Sequence, residues 1–179
     1  MTNGTGYTEA EKAKKISALL DLCISSDNVV TCTTPFRNLI QKYGNSRVLV
    51  VGNSQTLRLA SGYGFTNCVD LQQYIAPRPQ LMPDLPVQDV RGESDSGQKV
   101  RAILVFQEPD NWQAALQVMC DVLGSDGEPC EELGGHASSK QVVDLFFSNP
   151  DFSYATSHSG KYHQGRPLGV DGERSSFRS

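Results

Sequence analysis

An α/β fold with a parallel sheet is predicted by three observations. The runs Val48-Leu-Val-Val51 and Ala102-Ile-Leu-Val-Phe106 are apolar at every position, the pattern of strands buried on both faces. Segments with helical periodicity lie between and beside these runs, and Gly, Asn and Pro mark the junctions. Helices alternating with such strands cover both faces of a parallel sheet.

Taken in order, Thr8 and Glu11 form a capping box that opens a helix over 8–23, with Ala13, Ile16, Leu19, Leu20 and Cys23 recurring on one face. Ser25-Ser-Asp-Asn28 ends it. Val29 to Cys32 reads as a short β-branched run. Thr34 is then the N-cap and Pro35 the first residue of a helix through Tyr43, closed by Gly44-Asn45. After the strand at 48–51, Gly52-Asn53-Ser54 leads into a helix to about Ala60, and Gly62 and Gly64 serve as its cap and turn. Residues 72–98, broken by Pro77, Pro79, Pro83 and Pro86, read as a linker or long loop. The strand at 102–106 follows, then a helix capped by Asp110 with Trp112, Leu116, Met119, Val122 and Leu123 on its apolar face. Residues 124–140 form a polar loop, and Val142 to Ser148 is a further strand stopped by Asn149-Pro150-Asp151. No internal repeat is evident, and the polar tail from Ser157 is expected to stay disordered.

Composition narrows the function. With 179 residues the chain holds one domain or parts of two. Sixteen basic against twenty acidic residues, net −4, argue against a nucleic-acid surface spread over the molecule. No apolar run approaches the roughly 18 residues needed to span a bilayer, so no transmembrane segment is expected. Met1-Thr-Asn-Gly-Thr5 carries neither a secretory nor a transit signal, which by itself predicts a cytosolic product. Five widely spaced cysteines without a C-x-x-C pair fit reduced thiols, and His136, His158 and His163 have no ligand-like spacing, so no zinc is expected.

Of the motifs that carry chemistry, Val48 to Ser54 resembles the start of a dinucleotide fingerprint. Only Gly52 of its three glycines is present, so an ordinary strand-to-helix turn is preferred over a nucleotide site at Gly52-Asn53-Ser54. No phosphate loop and no nucleophile elbow occur. The apolar stripe Trp112, Leu116, Met119 reads as core. The carboxylates Glu128, Glu131 and Glu132 read as a solvated loop. Asn149-Pro150-Asp151 is a turn by default, although the end of a buried strand is where α/β proteins place functional groups.

Five stretches, in order, carry a resemblance: Thr2 to Leu20; Val30 to Arg37; Arg47 to Gly52 with Gly62 to Asn67; Ala102 to Phe106 with Asp110-Asn-Trp112; and Phe147 to Asp151. Over about residues 2–156 the chain resembles the haloacid-dehalogenase-like (HAD) hydrolases of subfamily IIA, of the mitochondrial cat-eye-syndrome critical-region type. The resemblance implies a partial HAD-like Rossmannoid core over 1–70, an α/β cap domain over 71–156 that selects substrate, and a divergent tail over 157–179. It also implies a Mg²⁺-dependent phosphatase acting on a phosphorylated small molecule, located in mitochondria and tied to glycerophospholipid metabolism.

Thr2 and Asn3 would correspond to the second core motif, whose hydroxyl binds a phosphoryl oxygen. Asn149 and Asp151 would belong to a cap-domain motif. The chemistry further needs a nucleophilic Asp, a second Asp two residues on, a Lys and metal-binding acids. No D-x-D pair and no Gly-Asp dipeptide occur, and the setting of Lys161 differs from that of the family lysine. The chain therefore reads as an internal portion of such a hydrolase, inactive alone. The alternative is a non-catalytic binding or regulatory module derived from the cap. Either way an incomplete sheet would expose an edge through which the chain could self-associate.

Overall fold

The computed structural model describes residues 6–83, 97–127, 141–149, 153–155 and 161–163. Its centre is a four-stranded, all-parallel sheet of β1 (Val48–Val51), β2 (Cys68–Val69), β3 (Ala102–Val105) and β4 (Asp144–Phe147), in the order β2-β1-β3-β4. β1 and β3 pair in register from Val48 opposite Ala102 to Val51 opposite Val105, and β3 pairs with β4 from Ala102 opposite Asp144. Every residue of β1 and β3 is buried. Strands from both sides of the division expected at residue 70 therefore share one sheet.

Because side chains alternate along a strand, each apolar run feeds two cores. Val48, Val50, Ala102 and Leu104 point to one face and pack with Phe36, Leu59, Tyr63 and Phe106. There Phe106 meets Phe36 edge to face at 4.8 Å. Leu49, Val51, Ile103 and Val105 point to the other face and pack with Tyr74, Val118, Met119 and Val122. α3 (Thr56–Tyr63) thus covers one face, while α4 (Leu71–Ile75) and α5 (Trp112–Gly124) cover the second.

Helix boundaries follow local chemistry. α1 (Glu9–Leu20) begins at the expected capping box: the Glu11 N–H donates to Thr8 Oγ1 at 3.2 Å and the Thr8 N–H to Glu11 Oε2 at 2.8 Å. It stops three residues before Cys23, because Asp21 takes the left-handed conformation (φ 52°). Residues 29–32 form no strand in the sheet. The helix expected over 34–43 is a 3-10 segment, Thr34–Leu39, running into the short α2 (Ile40–Tyr43). Thr34 is its first residue rather than its cap, and its hydroxyl accepts the Thr31 N–H at 2.8 Å. α3 runs three residues past Ala60 with Gly62 helical rather than in the turn, and it ends on Gly64 at φ +111°, the expected glycine cap. α5 is capped by Asn111, one residue past the expected Asp110; Asn111 Oδ1 accepts the Ala114 N–H at 3.0 Å. Its buried stripe is Ala114, Ala115, Val118, Met119 and Val122, with Leu116 at the rim.

Two stretches expected to lack structure contain some. Asp70 and Gln73 form a second capping box, opening α4 inside the supposed linker. Its Tyr74 is fully buried and donates its hydroxyl to Asp121 of α5 at 3.0 Å. Within the tail expected to stay disordered, β6 (Lys161–His163) pairs antiparallel with β5 (Ser153–Ala155). Glu128, Glu131, Glu132, His136 and His158 lie outside the described residues.

The tightest junction is Gly52, directly after β1. A Cβ there would overlap Thr56 Oγ1 and sit 2.8 Å from Gln107 Cγ. Gly52→Ala is expected to cost about 1–3 kcal/mol in urea unfolding, as other overpacked interiors do. Adding Thr56→Ala removes the closer obstacle and should recover part of that loss, giving a non-additive double-mutant cycle. Full additivity would show that Gly52 is not held by this contact.

Candidate functional site

Parallel strands present their carboxyl ends on one edge. Where successive crossovers leave in opposite directions, the loops part and leave a crevice. In the order β2-β1-β3-β4 that point lies between β1 and β3. Gly52, Asn53 and Thr56 come from the first loop and Gln107 from the second. Gln107 is nearly buried, and its Nε2 donates to Thr56 Oγ1 at 3.3 Å. Asn53 Oδ1 accepts the Gln55 N–H at 2.9 Å and shapes the turn. After β4, Ser148 Oγ donates to the Phe106 carbonyl at 2.6 Å, which draws the half-buried Asn149 to the same edge. The segment entering α1 reaches this edge as well: at Gly6, in a positive-φ conformation (+84°), a Cβ would lie 3.4 Å from Gln107 Oε1.

Of the residues expected at a site, Asn149 is therefore placed on the carboxyl edge. Thr2, Asn3 and Asp151 lie outside the described residues. Sequence reasoning missed Gln107 and Thr56. The available signal was that Gln107 is the first polar residue after an apolar strand.

The start of α1 is fastened by a polar cluster built on Glu9, a residue only 5% exposed. Its Oε1 accepts from Thr34 Oγ1 at 2.8 Å and Tyr63 OH at 3.0 Å, and its Oε2 pairs with Arg37 Nη2 at 3.0 Å. The Tyr63 hydroxyl also lies 2.8 Å from Thr33 Oγ1, which is 3.0 Å from Thr31 Oγ1. Burial pushes the Glu9 carboxyl up, but hydrogen bonds from its own backbone, Arg37, Thr34 and Tyr63 outweigh it and hold the group below its ordinary 4.5. Two residues on, the partly exposed Glu11 pairs with Arg58 at 2.9 Å, and that bond with those from Thr8 brings it to about 2.

The carboxyl edge offers amides and hydroxyls, suited to hydrogen-bonding a polar uncharged group. Among the described residues no group of three or more His, Cys, Asp or Glu could hold a metal. The donor set on this edge, neutral amides and hydroxyls without a carboxylate, does not fit Mg²⁺. Among the described residues, cysteines 23, 32, 68 and 120 form no disulfide, and burial pushes Cys68 up to about 11, away from thiolate chemistry. No described helix is long and apolar enough to cross a membrane.

Since the folded Glu9 carboxyl titrates below its unfolded value, its contribution is complete above about pH 4.5 and lost as pH falls through the folded value. Glu9→Gln keeps the shape and removes the charge. It should lower stability by about 1–3 kcal/mol at pH 7 and flatten the acid limb of a stability-against-pH curve. An unchanged acid limb would show that Glu9 does not carry the network.

Comparison with known proteins agrees with this architecture. A sequence profile of the haloacid dehalogenase-like hydrolases matches residues 1–66. The chain is 32% identical over 173 residues to mitochondrial hydrolase YKR070W of Saccharomyces cerevisiae, a match that covers 92% of this chain and 49% of that protein. It is 25% identical over 160 residues to a cardiolipin synthase (CMP-forming) / mitochondrial hydrolase fusion protein of Schizosaccharomyces pombe, covering 84% of this chain and 26% of the fusion. The chain thus spans about half the length of the budding-yeast relative. With a parallel sheet covered on both faces, a profile match over residues 1–66 and a similarity running through nearly all of its residues, this chain is similar to the haloacid dehalogenase-like hydrolases.

Proposed function

We propose that this chain is an internal portion of a subfamily IIA, phosphatase-type hydrolase that works in mitochondria, and that it is inactive alone. The observation that carries the reading is the 32% identity, over 92% of the chain, to a protein named a mitochondrial hydrolase. The fusion of a second relative to a cardiolipin synthase supports a phosphate ester of glycerophospholipid metabolism as substrate.

In this reading Thr2 and Asn3 hold a phosphoryl oxygen. Gln107, Asn53 and Asn149, on the carboxyl edge, face the alcohol portion with neutral hydrogen-bonding groups. The Glu9 cluster fixes the helix that follows Thr2 and Asn3, so it acts as a positioning device. Phosphoryl transfer itself requires an attacking carboxylate, a second carboxyl group to protonate the leaving oxygen, and cationic stabilisation, with Mg²⁺ supplying charge neutralisation when bound. The 179 residues contain no D-x-D pair and no Gly-Asp dipeptide, so the paired aspartates of the family's covalent route are not on this chain. The same absence favours a second reading, a binding module that recognises a phosphate ester without turning it over.

Incubation with 4-nitrophenyl phosphate and Mg²⁺ should give no turnover above buffer. Turnover above buffer that Thr2→Ala abolishes would overturn the assignment of this chain as inactive alone. Titration with glycerol 3-phosphate, followed by melting temperature, addresses the binding role: a rise that Gln107→Ala removes supports the carboxyl-edge site, and no rise counts against it.

A further inference from the structure

The last turn of α1 carries large apolar side chains into solvent. Leu19 is 82% exposed, Leu20 55% and Leu22 60%. Single exposed leucines are ordinary, but three within four residues at one helix end form the kind of patch that marks an interface. The helix is secured at its other end, where Glu9 and Ala13 are buried and the Glu9 cluster ties it to Arg37 and Tyr63. A twelve-residue helix is marginal in water on propensity alone and depends on packing of its apolar face. Among the described residues that packing stops at Ser17, and Ala18 to Leu20 are exposed.

Two observations identify what covers the patch. Asp21 at the helix cap and Asp27 in the Ser26–Asn28 turn that packs against α1 set acidic residues at this end of the helix, and the exposed Lys14 and Lys15 precede the leucines, a mixed-charge surround of the kind that rims a protein interface. The budding-yeast relative, matched over 92% of this chain, contains about as much polypeptide again outside the match. We propose that Leu19, Leu20 and Leu22 form the docking surface for that other half: an apolar polypeptide face belonging to the same longer protein. The inference is independent of phosphatase activity and of the carboxyl-edge site.

The test replaces the matched half of the yeast hydrolase with this chain and compares the chimera with the chain alone by hydrogen exchange. Amides of residues 18–24 should exchange at least tenfold more slowly in the chimera. The triple substitution Leu19→Ser, Leu20→Ser, Leu22→Ser should reverse that protection and lower the chimera's melting temperature. It should leave the melting temperature of the chain alone within about 1 °C, as for other exposed positions. If the chimera is insoluble, the unmatched yeast polypeptide co-expressed with this chain gives the same reading. Absence of protection in both formats overturns the proposal. So does leucine-dependent dimerisation of the chain alone in sedimentation, or leucine-dependent binding to vesicles of phosphatidylcholine and cardiolipin.

Discussion

The rest of the structure depends on the in-register pairing of β1 with β3. These two strands are the interior of the sheet, and all eight of their residues are buried. Because neighbouring side chains project to opposite faces, burying one such pair obliges the chain to supply two separate apolar layers. It does so with α3 and the segment around Phe36 on one side, and with α4 and α5 on the other. Removing several buried methylenes from Leu49 or Ile103 would leave a cavity where the surrounding helices have little freedom to collapse.

The same pairing makes the carboxyl edge. Once β1 and β3 lie side by side, their following loops must separate, and Gly52 lets them approach to the limit of contact before they do. The polar groups that gather there come from parts of the chain far apart in sequence: Gly6, Asn53, Gln107 and Asn149. The Glu9 cluster adds a second constraint, since a buried carboxylate has few solutions other than saturation by donors. Thr34, Tyr63 and Arg37 provide them, and in doing so fix the direction from which the chain enters α1.

Much of the fold was legible in sequence where the governing interaction is local or the pattern unmixed. The apolar runs at 48–51 and 102–106 named both central strands, the Thr8/Glu11 box named the start of α1, and Gly64 named the cap of α3 although the helix runs three residues further than read. The errors have equally specific reasons. Prolines 77, 79, 83 and 86 obscured α4, a five-residue helix whose existence rests on one capping box and one buried tyrosine. The β-branched run at 29–32 resembles a strand, but the threonines at 31, 33 and 34 use their hydroxyls for one another and for Glu9 and Tyr63.

By itself, then, the sequence determined the fold class, the two central strands and the lack of a D-x-D pair among these 179 residues. Periodicity, capping and residue identity are local properties that can be read along the chain. Only the tertiary structure decided that residues on both sides of position 70 build one sheet, that Gln107 meets Thr56, and that Glu9 is buried among donors. It alone decided that Leu19, Leu20 and Leu22, which share the apolar character of the core, face outward. The periodicity of a helix says that it has an apolar face; which stretch of that face is covered depends on what else the chain brings against it.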